Sequence, residues 1–276
     1  MTPRRIGLAV VALAVIGLAV ILFSAPREPT YGGRTLSRWV RDLKSSNVDE
    51  QRAAVVALRN LGSEPIPQLR KMLRTRDTAA RRLAERWLAN VEILKIRFAP
   101  VCEQHKIAAE IVSWIGDPEV IPDLTALLDD QNCAQSSAEA LTRLMPAATP
   151  ALLKALTNQS VAVRWIGAAN LGSNPNDVVI SNLVGALKDQ AGGVRMVTAV
   201  ALGEMQRRPD LVVPALSDLL ERDQGSSTRA SVARALSKFG LHAKPAVPSL
   251  ERLCNETNRV VASAAAEALA LIRAAE

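Results

Sequence analysis

Small apolar residues and polar turns alternate along the second half of the chain, in a pattern that repeats about every 31 residues. The repeated dipeptides are Val163-Arg164 with Val194-Arg195, and Leu171-Gly172 with Leu202-Gly203. Within each copy the apolar residues recur three or four positions apart, which is typical of an amphipathic helix. The period predicts a repeat architecture in which each unit is a pair of helices.

Each predicted pair carries recurring residue types. The first helix has a proline followed two positions later by a leucine, and these prolines are Pro67, Pro122, Pro150, Pro214 and Pro248. Proline suits the first turn of a helix, where its missing N–H costs nothing. The second helix has an alanine-leucine pair, with the leucines Leu58, Leu141, Leu202, Leu236 and Leu269. Because alanine allows close helix approach, these residues predict an all-α fold with leucine along the seams.

These residues resemble the HEAT-repeat family, in the short bacterial form often described as phycobilisome-lyase-like. The resemblance runs from about Leu36 to the C-terminus and is clearest from Thr149 to Gly240. It implies a right-handed α-solenoid of HEAT-like helical pairs over residues 35–276, in which each repeat touches its neighbours. The stretches Tyr31–Trp39 and Lys95–Pro100 look like those of membrane-tethered bacterial HEAT proteins, a subgroup that implies no particular activity.

The N-terminus carries a candidate membrane anchor. Ile6 to Ala25 contains no charge, and a run of about 20 apolar residues is long enough to span a bilayer. Phe23 and the nearby Pro26 fit a cleavage site poorly, so residues 1–25 are predicted to be an uncleaved signal-anchor helix. Basic residues precede it, which predicts a single-pass protein of the inner membrane, with a linker over residues 26–34 and a periplasmic repeat domain.

The net charge of +7 is unevenly distributed. The basic excess lies in the first third of the folded region, where Arg81, Arg82 and Arg86 cluster on a predicted long helix. Two interpretations remain open for this basic surface. It is either an ordinary solvated helix face or a surface that binds anionic lipid headgroups close to the anchor.

No motif in the sequence predicts catalysis, a metal or a cofactor. The three cysteines, Cys102, Cys133 and Cys254, lie far apart, and the two histidines, His105 and His242, sit in no His-Glu motif. Paired His-Glu motifs are what di-iron HEAT hydroxylases require, and phycobilin lyases share only the scaffold. The sequence therefore predicts a protein that is not an enzyme.

An apolar stripe is the candidate binding site. Two and six positions after the valine of Val-Arg, the second helices of the central repeats carry Trp165 with Ala169 and Met196 with Val200. Other copies place charge in part of these positions, at Arg52, Glu139, Arg234 and Glu267. Second helices line the concave face of a solenoid, so we expect these four residues to form a partner-binding surface. The alternative is that the stripe is additional core.

The predicted function is a non-enzymatic, membrane-anchored scaffold that binds a protein or peptide on its concave face. A solenoid that binds nucleic acid or an anionic membrane surface is one alternative, and nucleic acid is disfavoured because the central stripe is apolar. A lyase-like or maturation accessory factor is another. The recurring Arg164, Arg195 and Arg229 either bind an anion or, as we expect, pair with acidic residues of the turns.

Overall fold

The computed structural model describes residues 30–43, 45–60, 62–63, 65–76, 78 and 101–275. These residues form an all-helical repeat fold and divide after Asp123 into two compact units. The predicted anchor over residues 1–25 and the basic cluster Arg81, Arg82 and Arg86 lie outside the described residues. Within the described ranges, no helix combines the length and apolar character needed to cross a membrane.

The first unit begins with a small antiparallel ladder and continues with helices. Strands β1 (Thr30–Tyr31) and β2 (Arg34–Thr35) pair around Gly32 and Gly33, whose φ angles are 56° and 73°. Two consecutive positive φ angles are what a tight hairpin turn requires. The helices that follow are α1 (Leu36–Leu43), α2 (Val48–Asn60), α3 (Ile66–Leu73), α4 (Val101–Ile115) and the start of α5 (Ile121–Ala126), which is preceded by a 3₁₀ turn at Pro118–Val120.

The hairpin is attached to the helices by one aromatic residue. Trp39 in α1 is buried and donates its indole N–H to the carbonyl oxygen of Tyr31 at 3.0 Å. The guanidinium carbon of Arg34 lies 4.9 Å from the centre of the Trp39 ring. These contacts show that the end of the predicted linker is ordered against the repeat domain.

The second unit consists of paired helices in two layers. Its 3₁₀ segments are Leu127–Asp129 and Gly240–Ala246, and its helices are α6 (Ala134–Arg143), α7 (Thr149–Ala155), α8 (Val161–Leu171), α9 (Asp177–Ala186), α10 (Gly192–Met205), α11 (Pro209–Arg222), α12 (Ser226–Ser237), α13 (Val247–Cys254) and α14 (Arg259–Ala274). The second helices of successive pairs, α6, α8, α10, α12 and α14, pack on one another in order. The first helices α7, α9, α11 and α13 form the other layer.

The core of this unit confirms the predicted leucine seams. Every leucine of the first-helix pattern in the unit is fully buried, namely Leu124, Leu152, Leu183, Leu216 and Leu250. Of the predicted second-helix leucines, Leu141, Leu202 and Leu236 are equally buried, and Leu269 is buried at 6% exposure. Since burial of a leucine stabilises a protein by about 1.5–3 kcal/mol relative to its exposure, these seams hold the pairs together.

Helices α10 and α12 are closely packed at Gly203. A Cβ atom added there would lie 2.8 Å from both Cα and Cβ of Ala235, a distance at which backbone must move. Gly167 in α8 meets Ala155 in the same way, at 2.9 Å from its Cβ. Glycine at these positions therefore determines how tightly the repeats stack.

We expect Gly203→Ala to lower the free energy of unfolding by about 1–2 kcal/mol, because overpacking outweighs the higher helix propensity of alanine. Urea denaturation of the purified full chain measures this loss. Gly185→Ala is the matched control, since an added Cβ there meets nothing within 4 Å, and its stability should stay level or rise by up to about 1 kcal/mol. Equal stability of the two variants would contradict the close packing at Gly203.

Candidate functional site

The recurring arginines join each repeat to the next. Arg164 in α8 donates from Nε and Nη2 to the two carboxylate oxygens of Asp189, at 2.7 and 3.0 Å. Its Nη1 donates to the carbonyl oxygens of Asn158 and Gln159 in its own turn, at 2.9 and 3.1 Å. One guanidinium group thus holds two successive turns, in the bidentate geometry that makes arginine–carboxylate pairs strong.

The same arrangement recurs one repeat later. Arg195 donates to Asp223 at 2.5 Å from Nε, and to the carbonyl oxygens of Asp189 and Gln190 from Nη1. Arg229 pairs with Glu256 in the last turn. These three pairs, Arg164–Asp189, Arg195–Asp223 and Arg229–Glu256, are called the arginine ladder below. They confirm that the arginines pair with acidic turn residues, and the acid belongs to the following repeat in each case.

The acidic residues of the ladder also fold their own turns. Asp189 accepts the backbone N–H of Ala191 at 2.8 Å, and Asp223 accepts that of Gly225 at 2.7 Å. An aspartate side chain that accepts the backbone N–H two residues later in the chain is common in turns. Both aspartates therefore order the turn before a second helix and receive the arginine of the preceding repeat.

These contacts stabilise the ionised carboxylates. The hydrogen bond from Arg164 holds the pKa of Asp189 below its ordinary value, against the opposing effect of burial and with help from the Ala191 N–H. For Asp223, burial acts to raise the pKa, but hydrogen bonds from Arg195 and the Gly225 N–H outweigh it, so this pKa is also lowered. The arginines of the ladder are thereby neutralised within the fold.

The predicted apolar stripe lies partly open on the second helices. Trp165 in α8 is 39% exposed and Val200 in α10 is 43% exposed, whereas Ala169 and Met196 are half-buried. We call these four residues the apolar row. At the register of Val200, the neighbouring second helices α6, α12 and α14 carry exposed charges, namely Glu139, Arg234 and Glu267. The row is therefore an apolar interruption of a charged face.

Trp165 reaches towards the next repeat. A Cβ atom built on Gly193, in the first turn of α10, would lie 4.0 Å from Cδ1 of Trp165. Gly193 and Met196 are three residues apart and so share one side of α10. The indole therefore lies over the junction between two second helices, where a side chain larger than glycine at residue 193 would meet it.

The other predicted residues fall in different places. Cys133 is buried, Cys102 and Cys254 are half-buried, and none forms a disulfide within the described part of the chain. His242 lies at the edge of a cleft of about 470 Å³ between α11 and residues 240–246, lined also by Pro209, Pro214 and Pro245. The sequence analysis did not predict this cleft.

The ladder predicts a specific acid sensitivity. Because the folded-state pKa of Asp189 lies below the unfolded value of about 3.9, its contribution to stability is complete above that pH and is lost as pH falls through the folded-state pKa. We expect Asp189→Asn to lower the free energy of unfolding by about 2 kcal/mol at pH 7. The difference in unfolding free energy between the variant and the original protein should become smaller below about pH 4.

Urea denaturation between pH 3 and pH 7 measures that difference. Asp218→Asn is the matched control, since Asp218 pairs with Arg222 on an exposed helix surface, where such pairs contribute about 0.5 kcal/mol or less. A difference for Asp189→Asn that is the same at both ends of the pH range would contradict the ionised pair.

Three solved structures are similar in helical arrangement. The complex of CpcE and CpcF of phycocyanin lyase from Nostoc sp. PCC7120 is 21% identical with a TM-score of 0.48, over 55% of this chain and 99% of that one. Human deoxyhypusine hydroxylase is 20% identical with a TM-score of 0.40, over 87% of this chain and 96% of that one. A designed armadillo repeat protein is 19% identical with a TM-score of 0.43, over 86% of this chain and 99% of that one. At this level the activities of those proteins do not transfer.

Sequence comparison identifies the repeats directly. No curated protein sequence matches the chain. The family of HEAT repeats matches residues 183–270, which contain α10 to α13 and most of α14. The PBS lyase HEAT-like repeat matches residues 106–130. Over these two ranges the chain is therefore similar to HEAT repeats.

Proposed function

We propose that the protein is a non-enzymatic, membrane-anchored scaffold that binds another protein along the apolar row. The observation that carries the proposal is the exposure of Trp165 and Val200 on a face whose other repeats carry charge at the register of Val200. Exposed aromatic and aliphatic side chains inside a charged rim are typical of interaction sites. In a right-handed solenoid, which we also propose, this face is the concave one.

The arginine ladder argues against a nucleic-acid ligand on this face. Binding to a phosphate backbone needs several unpaired basic side chains. Arg164, Arg195 and Arg229 are instead engaged by carboxylates of the fold. A polypeptide with apolar side chains suits the row better than a polyanion does.

The anchor would give the scaffold a fixed place in the cell. We propose that residues 1–25 cross the inner membrane once and hold the repeats on the periplasmic side. Confinement to one surface raises the effective concentration of the scaffold for partners in the same membrane, so a modest affinity suffices.

The anchor is tested by alkaline carbonate extraction of membranes from cells that produce the full chain. We expect the protein to stay in the membrane pellet, and the double variant Leu13→Arg/Ile16→Arg to move to the supernatant, because arginine near the bilayer centre costs about 3 kcal/mol each. Leu13→Ala/Ile16→Ala is the control that should stay in the pellet. Extraction of the original protein would contradict the anchor.

The binding site is tested by photo-crosslinking in cells, with p-benzoylphenylalanine at residue 165 of the full chain. We expect one discrete protein adduct that disappears when Val200→Glu is added. Glutamate occupies the same register at Glu139 and Glu267, so this substitution is compatible with the repeat fold.

The control places the same probe at residue 178, because Val178 is a comparably exposed apolar residue on a first helix. The adduct should be absent there. An adduct of equal yield from residues 165 and 178, or one that survives Val200→Glu with the variant folded, would contradict a partner site at the apolar row.

A further inference from the structure

Equivalent side chains of α10 and α12 stand next to each other on the exposed face. Glu204 of α10 forms an ion pair with Lys238 of α12, and the two residues are 34 positions apart in the chain. Val200 and Arg234 are also 34 positions apart. Val200 lies one helical turn before Glu204 in α10, and Arg234 lies one helical turn before Lys238 in α12. Arg234 therefore lies beside Val200, at the end of the apolar row.

Arg234 is the cationic residue that follows Val200 on this face, and Glu267 occupies the equivalent position one repeat further, on α14. The side chain of Arg234 is exposed, and it has no ion-pair partner within the described residues. Its neighbour Lys238 is neutralised by Glu204. At this register, the second helices therefore carry apolar residues in α8 and α10, a cation in α12 and an anion in α14.

The distance between neighbouring second helices sets how far apart the contacting side chains of a ligand must be. Packed helices lie about 8–10 Å apart, and Gly203 against Ala235 brings α10 and α12 close together. A polypeptide in the extended polyproline II conformation advances about 3.1 Å per residue and has three residues per turn. Side chains three residues apart therefore lie on one side of it and span about one repeat. An α-helix would need about seven residues for the same step, since it rises 1.5 Å per residue.

We infer that the partner offers an extended, polyproline II-like segment with two apolar side chains about three residues apart and an acidic side chain about three residues beyond the second. The first apolar side chain packs on Trp165 and Ala169, and the second packs on Met196 and Val200. The carboxylate pairs with Arg234. This inference rests on the proposed function and adds the chemistry and spacing of the segment that is bound.

A library of random twelve-residue peptides displayed on phage tests it against the full chain in detergent. We expect the original protein to enrich peptides with that apolar–apolar–acidic order at three-residue steps. Arg234→Glu should keep the apolar pair and exchange the acidic preference for lysine or arginine. Glutamate at this register already occurs at Glu139 and Glu267, so this variant retains the repeat fold.

The charge pairing is then measured with one enriched peptide by fluorescence anisotropy. Replacing its acidic residue by lysine should weaken binding to the original protein at least tenfold, and Arg234→Glu should restore it. Arg207→Glu is the matched control, because Arg207 is also exposed and without an ion pair among the described residues, yet lies in the loop after α10. It should leave the selection unchanged.

The outcomes distinguish the inferred peptide segment from the proposed binding site at the apolar row. Peptides that require Trp165 but show no acidic preference, or that place their anchors seven residues apart, overturn the inferred segment and leave a binding site at the apolar row. If Trp165→Gln, which introduces the residue type found at Gln135 in α6, selects the same peptides as the original protein, the site itself is overturned as well.

Discussion

The bridge from each second-helix arginine to the carboxylate of the next turn is the interaction on which this arrangement depends. Arg195 satisfies two carbonyl oxygens of its own turn and pairs with Asp223, whose side chain is fully buried. An uncompensated carboxylate in that position would be strongly destabilising, so the ion pair and the stacking of repeats require each other. The leucine seams hold a pair together, and the ladder sets one pair against the next.

A fixed step between repeats has a consequence for the surface. When successive second helices keep one register, residues at equivalent positions line up across the stack, as Glu204 and Lys238 do. The face then becomes a row of sites whose spacing is set by the fold and whose chemistry is set by exposed residues alone. Trp165, Val200 and Arg234 differ from the residues at equivalent positions without disturbing the buried seam.

Much of this fold could be predicted from the sequence, because its period is carried by residue types with narrow roles. Leucines after the first-helix prolines and alanine-leucine pairs identified the buried seams, and the Val-Arg step located the ladder arginines. The sequence could not show that each arginine reaches the following repeat, since Arg195 and Arg229 have an acid in their own turn that is nearer along the chain. The clash that an alanine would cause at Gly203 was equally hidden, because it depends on the distance to Ala235.

The candidate site was less predictable than the fold. Helical spacing placed Trp165 and Val200 on one face, but the same spacing is also compatible with additional core, and only the packing of neighbouring helices determines how exposed each residue is. The hairpin around Gly32 and Gly33 was read as linker, since a two-residue ladder has no hydrophobic period to reveal it.

The account is tested most directly by a double-mutant cycle between Arg195 and Asp223, with Arg195→Gln, Asp223→Asn and the double variant compared by urea denaturation at pH 7. If the bridge couples successive repeats, the two single losses will exceed the double loss by about 1.5 kcal/mol or more. Losses that add to within about 0.5 kcal/mol would show that the two residues act independently, and would contradict the ladder as the device that sets the repeats in register.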